Sequence, residues 1–430
     1  MKEKNMSIRI PISVLSNENI NHMEKKLMIA KEVSKNPHSF FVPKKTPFFK
    51  RDHDDLCVPF HWGKSYFGSK YIPIRPTVPF HFQGQLRSEQ EILEMEGMES
   101  VHENNTCLLA VYPGGGKTIT SLSMVSKLQR KTIIIVNKLV LVEQWKESIE
   151  QFLGIQPFVI GGIHCKIQPN SIYIINAINI PKHNFQDMDI GCCIVDECHL
   201  ILSTVFSQGL FHIHPEYLIG LSATPYRSDG YNLLFDIYFG IHRIERSLHR
   251  PHDVLQIVTD EVIEHEMTTH GKIDWNSVIT KQCLSDNRQK LITHYCMEYP
   301  ERNILILCKR IVQMKILYDM LREKGQHVSM FKENDTTFDR DCRILISSYQ
   351  KVGTGFSFNK LDMLILGTDT EEYFLQYLGR VFRRLDVRPC IIDIVDKHSI
   401  LQKHFSSRKR IYKKCGGTIK KMNKNYSEVE

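Results

Sequence analysis

Beyond residue 82 the chain alternates two textures: short unbroken apolar runs, and longer stretches in which apolar residues recur every three or four positions. The runs at 107–111, 132–136, 171–175, 192–195 and 217–221 are short and mostly β-branched or leucine, and they predict buried strands. The stretches 90–99, 121–128 and 141–152 predict helices. Strands that are apolar on both faces and alternate with helices imply a parallel sheet covered on both sides. The pattern pauses over 245–284, which reads as a linker, and then restarts. Strands are predicted at 303–308, 343–347, 363–366 and 391–395, and helices at 311–324 and 373–381. The expected fold class is α/β, with two parallel-sheet domains in tandem at 83–244 and 285–402. Residues 1–82, rich in Pro and Phe around 37–82 and without a clean long helix there, read as an N-terminal accessory region, and 403–430 as a basic tail.

A chain of 430 residues has room for two such domains with sizeable cores. Its 42% hydrophobic and 24% charged content is that of a globular protein. No apolar run approaches the ~18 residues that read as a membrane span. Met1-Lys2-Glu3-Lys4-Asn5 leads into no signal-like stretch. An intracellular protein with no membrane partner is therefore expected. The net charge of +8 is uneven: residues 1–50 hold ten Lys/Arg against four Glu, and 403–430 hold nine against two. Basic ends suit contact with a phosphate backbone, and the last segment reads equally as a solvated tail. The twelve cysteines include no CxxC pair, so buried reduced thiols are expected rather than a zinc site. His212-Ile213-His214 would put two imidazoles on one strand face, a weak pattern for a metal.

Chemistry concentrates at two places in the first domain. Pro113-Gly114-Gly115-Gly116-Lys117-Thr118 lies between a predicted strand and a predicted helix, the context a phosphate loop requires. Glycines let main-chain N–H groups turn toward phosphate oxygens, and the helix adds its positive N-terminal end. Lys117 would reach the terminal phosphates, and the Thr118 hydroxyl would ligate Mg²⁺. The first glycine of the full pattern is replaced by Val111. Asp196-Glu197-Cys198-His199 follows the strand at 192–195. Two adjacent acids at a strand's C-terminal end suit magnesium binding by Asp196 and activation of the attacking water by Glu197.

The order Gly116-Lys117-Thr118, Asp196-Glu197-Cys198-His199, Ser222-Ala223-Thr224-Pro225 and Gln376-x-x-Gly379-Arg380-x-x-Arg383 resembles that of superfamily 2 helicases over 83–400. Within them the chain most resembles the XPB-type and UvsW-type helicases and the poxvirus transcript-release helicase. The resemblance implies two RecA-like domains, ATP as substrate, Mg²⁺, and nucleic acid as partner, DNA ahead of RNA. RNA polymerase or repair factors are the protein partners it suggests. Gln90, in Leu86-Arg87-x-x-Gln90, would contact adenine, and Gln144-Trp145 would flank the nucleic-acid track. Ser222-Ala223-Thr224 would couple hydrolysis to domain movement, and the extension 225–230 is similar to that of the DNA-directed branch. Gln376, Arg380 and Arg383, spaced four and three, fall on one face of a helical pattern. Arg380 or Arg383 would act as the arginine finger. Residues 347–355 resemble motif V, with Gly353 and Gly355 letting the backbone approach strand and nucleotide. Where the family has Gly-x-Asp-x-Pro, this chain has Gly355-Phe356-Ser357-Phe358-Asn359. An RNA helicase, a transcript-release factor with little unwinding, and a restriction-type translocating subunit are the alternative functions. Richness in Lys, Asn and Ile resembles proteins of large DNA viruses, which implies host cytoplasm, virus factory or virion.

Overall fold

The computed structural model describes residues 7–32, 44–52, 54–203, 210–227, 229–332, 335, 337–353, 358–371, 374–384 and 386–424. The chain divides into two compact units, Met1–Arg246 and Ser247–Glu430.

The first unit begins with β1 (Ile8–Pro11), α1 (Asn17–Leu27), β2 (Met28–Ala30), β3 (Lys45–Pro47), β4 (Lys50–Asp52), β5 (Asp55–Val58) and α2 (Phe60–Phe67). Ser16 caps α1 by accepting from the Asn19 amide at 3.1 Å. There follow α3 (Ser88–Asn104), β6 (Thr106–Val111), α4 (Lys117–Leu128), β7 (Thr132–Val136), α5 (Leu139–Leu153), β8 (Phe158–Ile160) and β9 (Ile172–Asn176). The unit closes with β10 (Cys192–Val195), the single-turn α6 (Cys198–Ile201), β11 (Tyr217–Ser222), α7 (Leu233–Phe239) and β12 (Ile244–Arg246). Its main sheet is seven-stranded, in the order β12-β6-β11-β10-β7-β9-β8, and parallel throughout.

Successive residues of a strand point to opposite faces, and the core divides accordingly. Ile133, Ile135, Cys193 and Val195 join one layer, and Ile134, Val136, Cys192 and Ile194 the other. The second layer is filled from α4 and α5 by Leu122, Val125, Trp145 and Ile149. The first is filled largely from the N-terminal region, by Ile8, Ile10, Met23, Leu27, Phe48 and Val58, together with Leu234 and Phe235 of α7. Residues before 83 are thus part of this unit's core and not a separate body. The alternation of strands and helices after residue 82 implied a sheet covered on both sides, and nothing in it showed that one of those layers comes from residues before 83. The N-terminal region also clamps the chain after β11. The Glu32 amide donates to the Gly230 carbonyl at 2.8 Å. A Cβ on Gly230, whose φ is +80°, would lie 2.5 Å from the Glu32 carbonyl oxygen, so only glycine fits there.

The second unit contains β13 (His252–Val262), α8 (Trp275–Leu284), α9 (Asp286–Glu298), β14 (Ile304–Cys308), α10 (Ile311–Glu323), β15 (Val328–Phe331), β16 (Ile344–Ser348) and α11 (Tyr349–Gly353). It ends with β17 (Met363–Leu366), α12 (Phe374–Val381), β18 (Cys390–Lys397), α13 (Ser399–Lys414) and β19 (Gly417–Lys424). Its sheet is also seven-stranded, ordered β15-β16-β14-β17-β18-β13-β19, and parallel throughout.

Two expectations are corrected here. The stretch 245–284 is no linker: it carries the end of β12, all of β13 and α8, and β13 lies between β18 and β19. Residues 403–424 are no tail. In α13, Leu401, Phe405, Arg408 and Tyr412 recur at helical spacing and are buried, while the basic residues around them face outward. Arg408, 2% exposed, spans two buried acids. Its Nε and Nη2 donate to Asp393 at 2.9 and 2.8 Å, and its Nη1 to Asp369 at 2.6 Å. The Tyr412 hydroxyl donates to Asp393 at 2.9 Å. A count of charges alone could not distinguish this guanidinium from its exposed neighbours.

Candidate nucleotide site in the first unit

The phosphate loop leaves the end of β6 and enters α4 at Lys117. Gly114 and Gly116 hold φ of +85° and +88°, in the left-handed region open to glycine. A Cβ on Gly116 would sit 2.2 Å from Gln90 Nε2, so the missing side chain is what allows Gln90 to lie against the loop. Gln90 is 3% exposed, and its Oε1 accepts from the Arg87 amide and from Arg87 Nε, both at 3.0 Å. Its Nε2 is buried with no hydrogen-bond partner. That leaves a donor poised beside the loop for an acceptor on a bound molecule. Lys117 Nζ donates to the Val111 carbonyl at 2.7 Å, which folds the ammonium back over the loop. Thr118 is the second residue of α4, and Pro113 and Gly115 complete the loop.

The acidic pair emerges from β10, with only β11 between it and β6 in the sheet. The Asp196 amide donates to the Ile135 carbonyl at 2.9 Å, which ties it to β7. One carboxylate oxygen accepts from Trp145 Nε1 at 2.9 Å and the other from the Glu197 amide at 2.9 Å. Burial and the adjacent Glu197 carboxylate hold the Asp196 pKa up at about 6, against the opposing pull of the Trp145 bond and the Lys117 charge. That Coulombic pull also places the ammonium and the acid in one neighbourhood. Glu197 holds φ of +45°, a left-handed conformation that costs an L-residue roughly 1–2 kcal/mol. Its Oε2 lies 3.4 Å from His199 Nδ1. His199 Nδ1 is 2.9 Å from Ser222 Oγ, and Ser222 Oγ accepts from the Thr224 amide at 3.1 Å. A hydrogen-bonded path therefore runs His199–Ser222–Thr224, from the acidic turn to the Ser-Ala-Thr segment, with Ala223 between its last two members, while Glu197 Oε2 lies beside His199 without a hydrogen bond to it. Burial first, then Arg227 and Lys117, push the His199 pKa down to about 4, so the imidazole in this path is neutral near pH 7.

Two residues take roles that the sequence reading did not give them. Trp145 was expected beside a nucleic-acid track. It is 1% exposed and its indole orients Asp196, so it cannot stack on a strand; Gln144, next to it, is half-buried. Arg227 closes the extension after Pro225 onto the acidic turn: Nη1 donates to the His199 carbonyl, and Nε to Asp229 at 2.9 Å. The Trp145–Asp196 and Arg227–His199 contacts cross 51 and 28 positions of sequence, and no local pattern announced them. His212 and His214 lie in and after a short turn before β11 and line a pocket of about 220 Å³ with Arg9 and Arg75. Among the described residues no group of three metal-ligating side chains occurs. None of the twelve cysteines forms a disulfide, and eleven are buried.

In the second unit, Gln376 is buried on α12, and Arg380 follows it by one helical turn. Arg383 does not share that helix, which ends at Val381. The main chain turns away because Arg250 takes the carbonyls of Phe382, at 2.5 Å, and Arg384. Arg384 pairs with Asp362 at 2.8 Å. Arg383 Nη1 donates to Asn359 Oδ1 at 2.8 Å, and burial lowers its pKa. Gly353 ends α11. Gly355 and Ser357, singled out in the altered glycine motif, lie outside the described residues, as does Ser228.

A phosphate loop and an acidic pair at the C-terminal ends of two parallel strands, with a third segment on the strand between them tied to the acidic turn, define a RecA-like nucleoside triphosphatase. Residues 83–227 match the family model described as "Type III restriction enzyme, res subunit". The chain is 37% identical over 400 residues to "Putative helicase 161L" of Invertebrate iridescent virus 6, covering 86% of this chain and 90% of that protein. It is 31% identical to "Putative helicase 055L" of Frog virus 3, covering 85% and 86% respectively. S. cerevisiae Dbp5 bound to RNA and ADP BeF3 shares the fold, with a TM-score of 0.54 and 14% identity over 80% of this chain and 95% of that one. The chain belongs to the superfamily 2 helicases, enzymes that hydrolyse ATP. No described helix is long and apolar enough to cross a membrane.

Proposed function

We propose that the chain is an ATP-dependent translocase that moves along DNA. The observation that carries this reading is the hydrogen-bonded path from His199 of the acidic turn through Ser222 to Thr224. It joins the turn that carries Glu197, the residue suited to activate water, to the segment suited to report hydrolysis. In this reading Lys117 and the loop amides hold the phosphates, and Gln90 Nε2 serves the base. Glu197 orients and deprotonates the attacking water. The donor set fits a hard divalent cation. The Thr118 hydroxyl and the Asp196 carboxylate are oxygen donors, and an acid held near pKa 6 by burial and a second acid gains from a nearby positive charge. Asp196 and Thr118 would hold Mg²⁺, which when bound offsets charge on the phosphate oxygens.

In this reading Gln376, Arg380 and Arg383 of the second unit would act on the triphosphate, with one of the arginines as the finger. ATP then favours one arrangement of the two units and hydrolysis removes that preference. Alternating grip on a backbone converts the cycle into movement, and Gly353 and Gly355 belong to that grip. The preference for DNA is supported by the 225–230 extension, which Arg227 fixes to the acidic turn. The test is ATP hydrolysis with single-stranded DNA, duplex DNA, RNA and a stalled transcription complex. DNA is expected to stimulate more than RNA; equal stimulation by single-stranded RNA refutes the DNA assignment. Stimulation by the stalled complex beyond that by its own DNA would move the assignment to transcript release.

A further inference from the structure

From Lys397 to Ser427 the sequence has ten Lys/Arg and no Asp or Glu. One of the ten, Arg408, is buried in its ion pairs. On α13, Lys403, Lys409, Arg410, Lys413 and Lys414 are exposed, and the helix leads through Cys415-Gly416 directly into β19. β19 is the edge strand of its sheet and carries Lys420 and Lys421, both exposed. Consecutive strand residues point to opposite faces, so the edge is basic on both sides. The acids on the neighbouring strand leave this surface uncompensated. Asp253 of β13 is taken by Arg388 at 3.0 Å. Asp260 and Glu261 follow Thr259, which pairs with Lys424, so they lie past the far end of β19's register.

We propose that the outer face of α13 and the edge strand β19 form a binding surface for the phosphate backbone of a DNA duplex, distinct from the nucleotide site. The proposal rests on the translocase reading only in taking DNA as the occupant. A lysine or two at a sheet edge would suffice to prevent edge-to-edge pairing. Five more outward charges on a helix anchored by four buried side chains exceed that need, and they have the sign and the rigidity that a polyanion requires. Mounted on a packed helix, the charges are held in place without the ordering cost that a flexible tail would bear.

The surface is tested on the full chain by replacing Lys409, Arg410, Lys413 and Lys414 together with Ala. Binding to a short DNA duplex is followed by fluorescence anisotropy between roughly 50 and 200 mM salt. Each lost phosphate contact flattens the slope of log K against log salt by about 0.9, so the fourfold variant should flatten it by about 2–4. The variant Lys409→Arg, Lys413→Arg, Lys414→Arg should keep the wild-type slope. Thermal melting of both variants checks that α13 stays packed. A folded Ala variant with an unchanged slope overturns the proposal and leaves the translocase reading standing. A wild-type chain that binds no duplex overturns both.

Discussion

Trp145→Phe isolates one hydrogen bond at the reacting site. The indole Nε1 is 2.9 Å from Asp196 Oδ2, and among the described residues the other hydrogen bond to that carboxylate comes from the Glu197 main-chain amide. Phenylalanine keeps most of the apolar volume, so the core of α5 is retained. A bond to a charged acceptor contributes about 1.5–3 kcal/mol. If the bond orients Asp196 for catalysis, its loss lowers kcat roughly ten- to hundredfold, at about 1.4 kcal/mol per factor of ten. The acid limb of the pH–rate profile moves as well. The Trp145 bond lowers an Asp196 pKa already held up at about 6, so removing it raises the pKa further. An acid that must be ionised then needs higher pH, and the limb shifts upward. Steady-state ATP hydrolysis from pH 5 to 9, with melting as a control, measures both effects. A kcat within twofold of wild type and an unmoved acid limb would refute the positioning role of Trp145.

Other substitutions test separate parts of the argument. Glu197→Gln should bind ATP while slowing turnover by about 10²–10⁴-fold, the usual worth of a general base; near-normal turnover excludes it as the base. Arg408→Leu leaves Asp393 and Asp369, both buried, without their guanidinium partner. Breaking such a pair costs about 3–5 kcal/mol, so calorimetry should show the second unit melting earlier, and an unchanged Tm would contradict the account of α13. His214 has its pKa pushed down to about 3, chiefly by burial. Its neutral form therefore supports a stability that is complete above pH 6.5 and is lost as pH falls from there toward 3. Replacing His214 with Gln should flatten that decline in urea titrations, and an unaltered decline would assign the acid sensitivity elsewhere.

The strands were legible because parallel strands buried on both faces must be apolar without interruption; 132–136 and 192–195 stand as read. The phosphate loop and the acidic pair were legible for a different reason: their chemistry is carried by adjacent residues. β13 was lost because His252, Asp253, Gln256 and Asp260 interrupt its apolar residues, and α13 because its charges hid the spacing of Leu401, Phe405, Arg408 and Tyr412. Trp145, placed on the wrong task, meets Asp196 only through tertiary packing, and no window of sequence contains both. Arg383 was placed on a helix that the carbonyl bonds of Arg250, a residue 133 positions away in sequence, bring to an end.

The packing of residues before 83 against β11 and α7 bears on how the protein is made. Ile8, Met23, Phe48 and Val58 leave the ribosome early, yet they share a core with Leu218, Leu234 and Phe235. At about 5–20 residues per second, those partners emerge on the order of ten seconds or more later. During that interval the nascent N-terminal segment has no sheet to cover and presents its apolar side chains to whatever is nearby. This segment, made well before its partners, is therefore among the last to reach its native contacts. Chaperone dependence, or aggregation on rapid expression, should trace to this segment rather than to the nucleotide site.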